Sequence, residues 1–258
     1  MTTAADLQPR LRRLRTYNLG MGVLHAAQGF AVVALANDFS LPVTAAFLAG
    51  APGLPESYTG IEQLFSINLA WGVATFLFLS AVAHFIIAAP GVFTWYGDNL
   101  AKNRNYARWV EYSISSSVMV ILIAMLTGLS DLAALLAIFG VNASMILFGW
   151  LVERDHEPGE KGWGLPFFFG CIAGIVPWIA VGIYLWSPTV EGGPPTFVYW
   201  IFFSLFIFFN SFALNQVLQY KPVGKWRDYL FGESAYVALS LIAKSLLAWQ
   251  VFAGALTA

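Results

Sequence analysis

Residues 235–253, AYVALSLIAKSLLAWQVFA, decide how this chain must be read, because they form an apolar run of nineteen residues with one charge, Lys244, at its tenth position. At about 1.5 Å of rise per residue the run is long enough to cross a hydrocarbon layer about 30 Å thick, and Lys244 falls about 14 Å from either end, near the midplane. An ammonium group there costs at least about 2.5–3.5 kcal/mol on insertion scales, so it normally faces the protein interior and has a partner or a task. Three readings compete for Lys244: an ion-paired structural lysine, a substrate or ion site in a transporter, and an amine that condenses with an aldehyde.

The surroundings of that run are equally apolar. Of 258 residues, 59% are hydrophobic and 10% are charged, against about 25% charged in ordinary soluble domains. This composition describes a polytopic membrane protein. Apolar runs of spanning length place helices at about 14–37, 63–89, 105–128, 131–152, 165–187, 196–220 and 229–256, seven in all and read as one domain. Arg10, Arg12, Arg13 and Arg15 precede the first segment, and Lys102, Arg104 and Arg108 lie between or just inside the second and third. Arg154 and Lys161 follow the fourth, and Lys221, Lys225 and Arg227 join the sixth to the seventh. The alternate connections and the tail carry acids such as Asp38, Glu56, Glu62 and Glu191 but no Lys or Arg. Excess Lys and Arg marks cytoplasmic loops, which predicts a multi-pass protein of the cell membrane with its N-terminus cytoplasmic and its C-terminus outside. The start, MTTAADLQPRLRRLRTYNLG, lacks a signal-peptide cleavage pattern and reads as an uncleaved anchor. The single cysteine, Cys171, forms no intrachain disulfide and reads as a small buried hydrophobe.

Carboxylates inside the spans are few. Glu111, about two turns into the third segment, is the one placed to meet a buried amine, since side chains tilt toward the N-terminus of their helix and Lys244 therefore leans toward the same half. The competing reading pairs Glu111 with Arg104 or Arg108 on its own helix face. Along the seventh segment Glu233, Tyr236, Ser240 and Lys244 recur at helical spacing as a polar stripe, and Ser240 either bonds the amine or turns back onto its own helix. Ser80 and His84 share a face of the second segment, and His25 lies in the first. Each histidine is either a hydrogen-bonded core residue or a proton carrier.

The long connection at about 38–62 predicts ordered structure of its own, with short strands near 41–47. Gly170 and Gly174 form a small-xxx-small spacing for close helix approach, within the chain or across a dimer. Trp109, Phe148, Trp178, Trp249 and the stretch FVYWIFFSLFIFFNSFAL are core packing or the walls of an apolar ligand box, and Pro177 predicts a kink in the fifth segment. Asn142 and Ser144 either join helices or touch a ligand. The sequence holds no Walker loop, zincin motif, metal-ligand cluster, nucleophile elbow or basic nucleic-acid patch, which leaves soluble enzyme chemistry and nucleic-acid binding unsupported.

On these residues the chain resembles a microbial-type rhodopsin, and more specifically the heliorhodopsins. The resemblance rests on RWVEYSISSSVM, LLAIFGVNASMILFGW, FGCIAGIVPW and LSLIAKSLLAWQ. It implies that Lys244 binds all-trans retinal as a protonated Schiff base with Glu111 as counterion and Ser240 and Ser80 in the counterion network. It further implies that His25 and His84 belong to a polar cavity that receives the photoreleased proton, and that Asn142 and Trp178 line the retinal pocket. The first outer connection would form a β-hairpin, and the fourth and fifth segments a homodimer interface. The function so implied is a photoreceptor with a slow signalling state, sensory rather than pumping, acting through a soluble cytoplasmic partner or, alternatively, through light-gated passage of ions such as protons. One departure from other microbial rhodopsins is that the sixth segment lacks the usual Trp and Pro near the ring end of retinal, so a Pro-hinged swing of that helix loses its hinge. The rival outside the family is a retinal-free transporter that uses the Lys244–Glu111 pair.

Overall fold

The computed structural model describes residues 4–186 and 192–256; Glu191, and with it part of the connection around 188–195, lies outside the described residues. Eight α-helices form: α1 Ala4–Leu35, α2 Leu69–Ala88, α3 Val92–Leu100, α4 Tyr106–Leu126, α5 Leu132–Asp155, α6 Gly164–Leu185, α7 Thr196–Tyr220 and α8 Tyr229–Val251. All but α3 are long and apolar enough to cross a membrane. A π-helical turn, Phe252–Leu256, continues α8. Antiparallel strands β1 Ser40–Ala45 and β2 Glu62–Asn68 pair with an irregularity between Val43 and Thr44.

Two boundaries differ from expectation for physical reasons. The second span starts at 69, not about 63, because the apolar run FSIN is extended as β2 and pairs with β1. Asn68 then accepts the Trp71 amide and starts α2 as an N-cap. The first helix starts at Ala4, ten residues before the apolar run, because Leu7, Leu11 and Leu14 form a helical stripe that packs on Tyr96, Leu100 and Leu230. Helix α3 supplies Tyr96 and Leu100 to that contact and was not foreseen, its nine residues being too short for a spanning signal. Burial pushes the Tyr96 phenol up to about 12.

Helix α4 sits centrally and touches α2, α5, α6 and α7, while α1 packs on α2 and α8. The ring of helices closes between α6 and α7 by aromatic side chains: Trp178 meets Phe202, Phe206 and Phe209 edge-on at 5.3–5.5 Å between centroids, and Trp186 meets Tyr199, Phe202 and Phe203. Helices α5 and α6 approach more closely. A Cβ on Gly170 would lie 3.2 Å from Phe148 Cβ, and one on Gly174 would overlap the Met145 sulfur, so this glycine pair packs within the chain. Pro177 is buried inside a continuous α6 and leaves the Ala173 carbonyl without its helical donor.

The hairpin is tied to the bundle rather than hanging from it. The Thr44 amide donates to the Ser130 carbonyl at 2.9 Å, the two hydroxyls meet at 2.9 Å, and Val43 is fully buried in the main core. Asn105, Asp131 and Asp228 cap α4, α5 and α8 through their side-chain oxygens, each worth about 1 kcal/mol. The Lys- and Arg-bearing connections gather at one end of the bundle and the hairpin stands at the other.

A close approach of α4 and α5 depends on Gly149, where a Cβ would stand 2.5 Å from the Trp109 ring. Gly149→Val should therefore lower the thermal midpoint of the purified protein, with an overpacking cost of about 1–3 kcal/mol. An unchanged midpoint in a detergent melt would mean that the two helices are free to separate.

Candidate functional site

Lys244 is 3% exposed and stands where α8, α2 and α4 converge. Its Nζ donates to Glu111 Oε1 at 2.8 Å, to Ser80 Oγ at 2.5 Å and to Ser240 Oγ at 3.1 Å. Three donors meet three acceptors, which satisfies the ammonium completely. Ser80 in turn donates to Glu111 Oε1 at 2.6 Å, so the hydroxyl bridges the ion pair. The amine also lies 5.2 Å from the centroid of the Tyr112 ring, a favourable position for a cation.

The reading that paired Glu111 with its own helix fails here. Arg108 turns away, toward Glu153 and Glu233, and Arg104 donates to the Arg154 carbonyl. Of the polar stripe on α8, Glu233, Tyr236, Ser240 and Lys244 are all at most 3% exposed.

Toward the basic end, one turn along α2 from Ser80, a buried histidine cluster begins. His84 Nδ1 and Asn18 Oδ1 are 2.7 Å apart, and the His84 and His25 rings stack at 5.6 Å with 14° between planes. Both ring nitrogens of His25 are buried without a hydrogen-bond partner among the described residues. Asn18, which orients His84, carried no distinguishing signal in the sequence.

On the other side of Lys244 opens a largely apolar cavity. Lys244, Ser240, Ala243 and Tyr112 form one end, Trp109, Tyr236 and Gly149 the floor toward the basic end, and Trp178, Phe206, Phe209 and Phe212 the aromatic wall. Its mouth lies between α6 and α7, where exposed Cys171, Ile175 and Asn210 border it; Cys171 is thus not the buried hydrophobe expected. Trp178 lines this space and Asn142 does not. Asn142 is buried behind the wall, donating to Ser116 Oγ at 2.9 Å and Ser117 Oγ at 3.0 Å, and reaches the cavity only through Ser116. Ser144 bonds its own helix. Phe148 packs on Phe169, and Trp249 faces outward with its Nε1 on Gln28.

Residues 14–256 match the family profile described as heliorhodopsin. The chain belongs to the heliorhodopsin family. Among solved structures it is similar to the transmembrane domain of the Salpingoeca rosetta rhodopsin phosphodiesterase, with a TM-score of 0.65 and 11% identity over 97% of this chain and 87% of that one. At that identity the likeness bears on the fold alone; the enzyme in that name belongs to that protein. Comparison with curated proteins finds no match.

Membership of a rhodopsin family implies a retinal chromophore in a multi-pass membrane protein, and the heliorhodopsin site described above fits that group. An amine stands at one end of an elongated aromatic-walled cavity, with a carboxylate within hydrogen-bond reach of it. A second buried charged cluster closes the basic end. Arg108 pairs with Glu153 and Glu233 and lies 4.4 Å and 4.0 Å from the centroids of the Trp109 and Tyr236 rings. Trp109 Nε1 and the Tyr229 hydroxyl donate to Glu153 at 2.8 and 3.2 Å, its Oε1 takes the Asn105 amide, and Asn105 Nδ2 donates to Glu233 at 2.6 Å. Two cavity walls are therefore held by this cluster. Glu153 sits where an apolar run gives way to the charged stretch VERD, and so reads in the sequence as solvated.

Breaking one side of a buried pair leaves the other charge stranded, at about 3–5 kcal/mol. Glu111→Gln should lower the midpoint of the retinal-free protein strongly, and Glu111→Gln combined with Lys244→Met should recover most of the loss in a double-mutant cycle. Additive losses would show that the two residues are not coupled.

Proposed function

We propose that this protein is a light-absorbing sensory receptor in which Lys244 carries all-trans retinal and Glu111 is the counterion. The single observation that carries the reading is the position of Lys244, buried between a carboxylate and the end of an apolar aromatic cavity. When bound, retinal supplies absorption of visible light and a double bond that isomerises. The protein's own residues do the rest. Glu111 and Ser80 hold the proton on Nζ in the resting state; Ser240 adds a third acceptor, one turn away on the same helix. His84 and His25, on the basic side of Ser80, form the nearest enclosed group able to receive a proton, and the unpartnered nitrogens of His25 give it somewhere to rest. Trp178 and the wall behind which Asn142 stands keep the polyene in place.

Transport is not part of the proposal. A proton pump needs polar relays on both sides of the amine. On the hairpin side of Lys244, Leu247, Ala248, Val251, Leu256, Val73 and Leu77 are buried, and the buried polar residues there, such as Ser117, Asn142 and Thr127, carry hydroxyls and an amide but no titratable group. Every acid buried in the bundle is on the amine's level or toward the basic end. The basic end is read as cytoplasmic on its Lys and Arg content, with signalling to a soluble partner there. A homodimer through α5 and α6 and the surrounding lipids complete the expected partners. No enzymatic activity is proposed.

The test is a visible spectrum of membranes holding the wild type and Lys244→Ala, each given all-trans retinal. A band well to the red of free retinal in the wild type alone, bleached by hydroxylamine in light, is expected, and Glu111→Gln should shift it. No band in either would return Lys244 to the transporter reading. Voltage-clamped cells expressing the pigment should show no photocurrent; a sustained current would replace signalling with light-gated ion passage.

A further inference from the structure

The α7 side of the cavity is not uniformly apolar. Gln216 is 5% exposed and lines the cavity near its floor. Its Nε2 donates to the Gly149 carbonyl at 3.2 Å, which orients the amide, and its Oε1 accepts nothing among the described residues. Asn210, at the mouth, repeats the pattern: Nδ2 donates to the Phe206 carbonyl at 2.8 Å and Oδ1 has no donor among the described residues. Between them Ala213 also lines the cavity. One stretch of α7 therefore offers two free amide carbonyls to a space whose other walls are mostly aromatic and aliphatic.

Their depth is that of a bound polyene's far end. Asn210 lies ten residues from the basic end of α7, about 15 Å, and Gln216 four residues, about 6 Å. Ser80, which holds the Lys244 amine, lies eight residues from the basic end of α2, about 12 Å. Lys244, Gln216 and Asn210 line one cavity, so a polyene that fills it from the amine runs past the α7 amides. A plain hydrocarbon ring would cover the Gln216 carbonyl without satisfying it, and an acceptor shut away from water costs free energy comparable to a lost hydrogen bond, whereas Asn210 is exposed at the mouth.

We infer that this cavity selects a retinal-type polyene aldehyde bearing a hydroxyl on its ring, which donates to the Gln216 carbonyl, with Asn210 as the second acceptor at the mouth. The inference rests on Lys244 holding a retinal and adds the chemical class that the site prefers. The competing account is that water satisfies both amides, in which case ring substitution is irrelevant.

The test is competition. Retinal-free wild type is given equimolar all-trans retinal with its 3-hydroxy or its 4-hydroxy derivative, and the bound chromophore is extracted and its composition measured. An enrichment of about tenfold for either hydroxylated compound is expected, falling toward parity in Gln216→Met and reduced in Asn210→Leu. Each variant is also given unsubstituted retinal alone, to confirm that it folds and forms pigment. Parity in the wild type, or an enrichment untouched by both substitutions, would overturn the inference. Absence of pigment with every aldehyde would instead overturn the retinal reading on which it rests.

Discussion

The ion pair between Lys244 and Glu111 is the interaction on which the arrangement of this bundle depends. A lysine near the middle of a spanning helix has no access to water and no route to the surface, so the fold must bring it an anion. Helix α4 supplies that anion from the centre of the bundle, and α2 supplies the Ser80 hydroxyl that bridges the two. Three helices distant in sequence are thereby fixed at one point. Such a pair adds little net stability over a well-packed apolar substitute. Its retention in an otherwise apolar interior is the physical argument that it serves a purpose other than holding the helices together.

The Arg108 cluster has a different character. It contains one cation and two carboxylates, buried where α4, α5 and α8 meet at the basic end, and Asn105, Trp109 and Tyr229 donate to its carboxylates. Arg108 Nε has no partner among the described residues, but the other charged groups of the network are paired, and buried polar networks paired to this degree favour one packing among many. Because Arg108 stacks on Trp109 and Tyr236, and both rings line the cavity, the geometry of the cavity floor and that of the basic end are the same set of contacts seen from two sides.

How much of this was legible in the sequence follows from the kind of signal each feature leaves. Seven spans and the Lys244–Glu111 meeting were readable because a charge inside a long apolar run is costly and its partners are few. The strand at 62–68 was missed because FSIN is apolar and continuous with the following helix, so a run-length criterion absorbs it; Asn68, a helix-capping residue, was the available signal. Helix α3 and the first ten residues of α1 are amphipathic rather than apolar, and pack against each other at the membrane boundary, where composition is mixed. Glu153 and Asn18 looked ordinary because their importance lies in contacts with Arg108 and His84, which sequence spacing does not reveal. Asn142, which the resemblance implies lines the pocket, stands behind Ser116, a one-layer displacement that family likeness does not resolve.

The polar groups are distributed unevenly along the bundle, and that asymmetry limits what light can do to it. From Lys244 toward the basic end the interior offers Ser80, His84, Asn18, His25 and then the Arg108 cluster, a near-continuous sequence of groups able to hold or pass a proton. Toward the hairpin the buried polar groups are hydroxyls and amides such as Ser117, Asn142 and Thr127 rather than acids or histidines, set among apolar residues that include Val43 and Leu256. On the proposed reading, a proton displaced from the amine meets titratable acceptors toward the basic end. That one-sided placement of titratable groups is the physical ground on which a receptor, rather than a pump, is proposed.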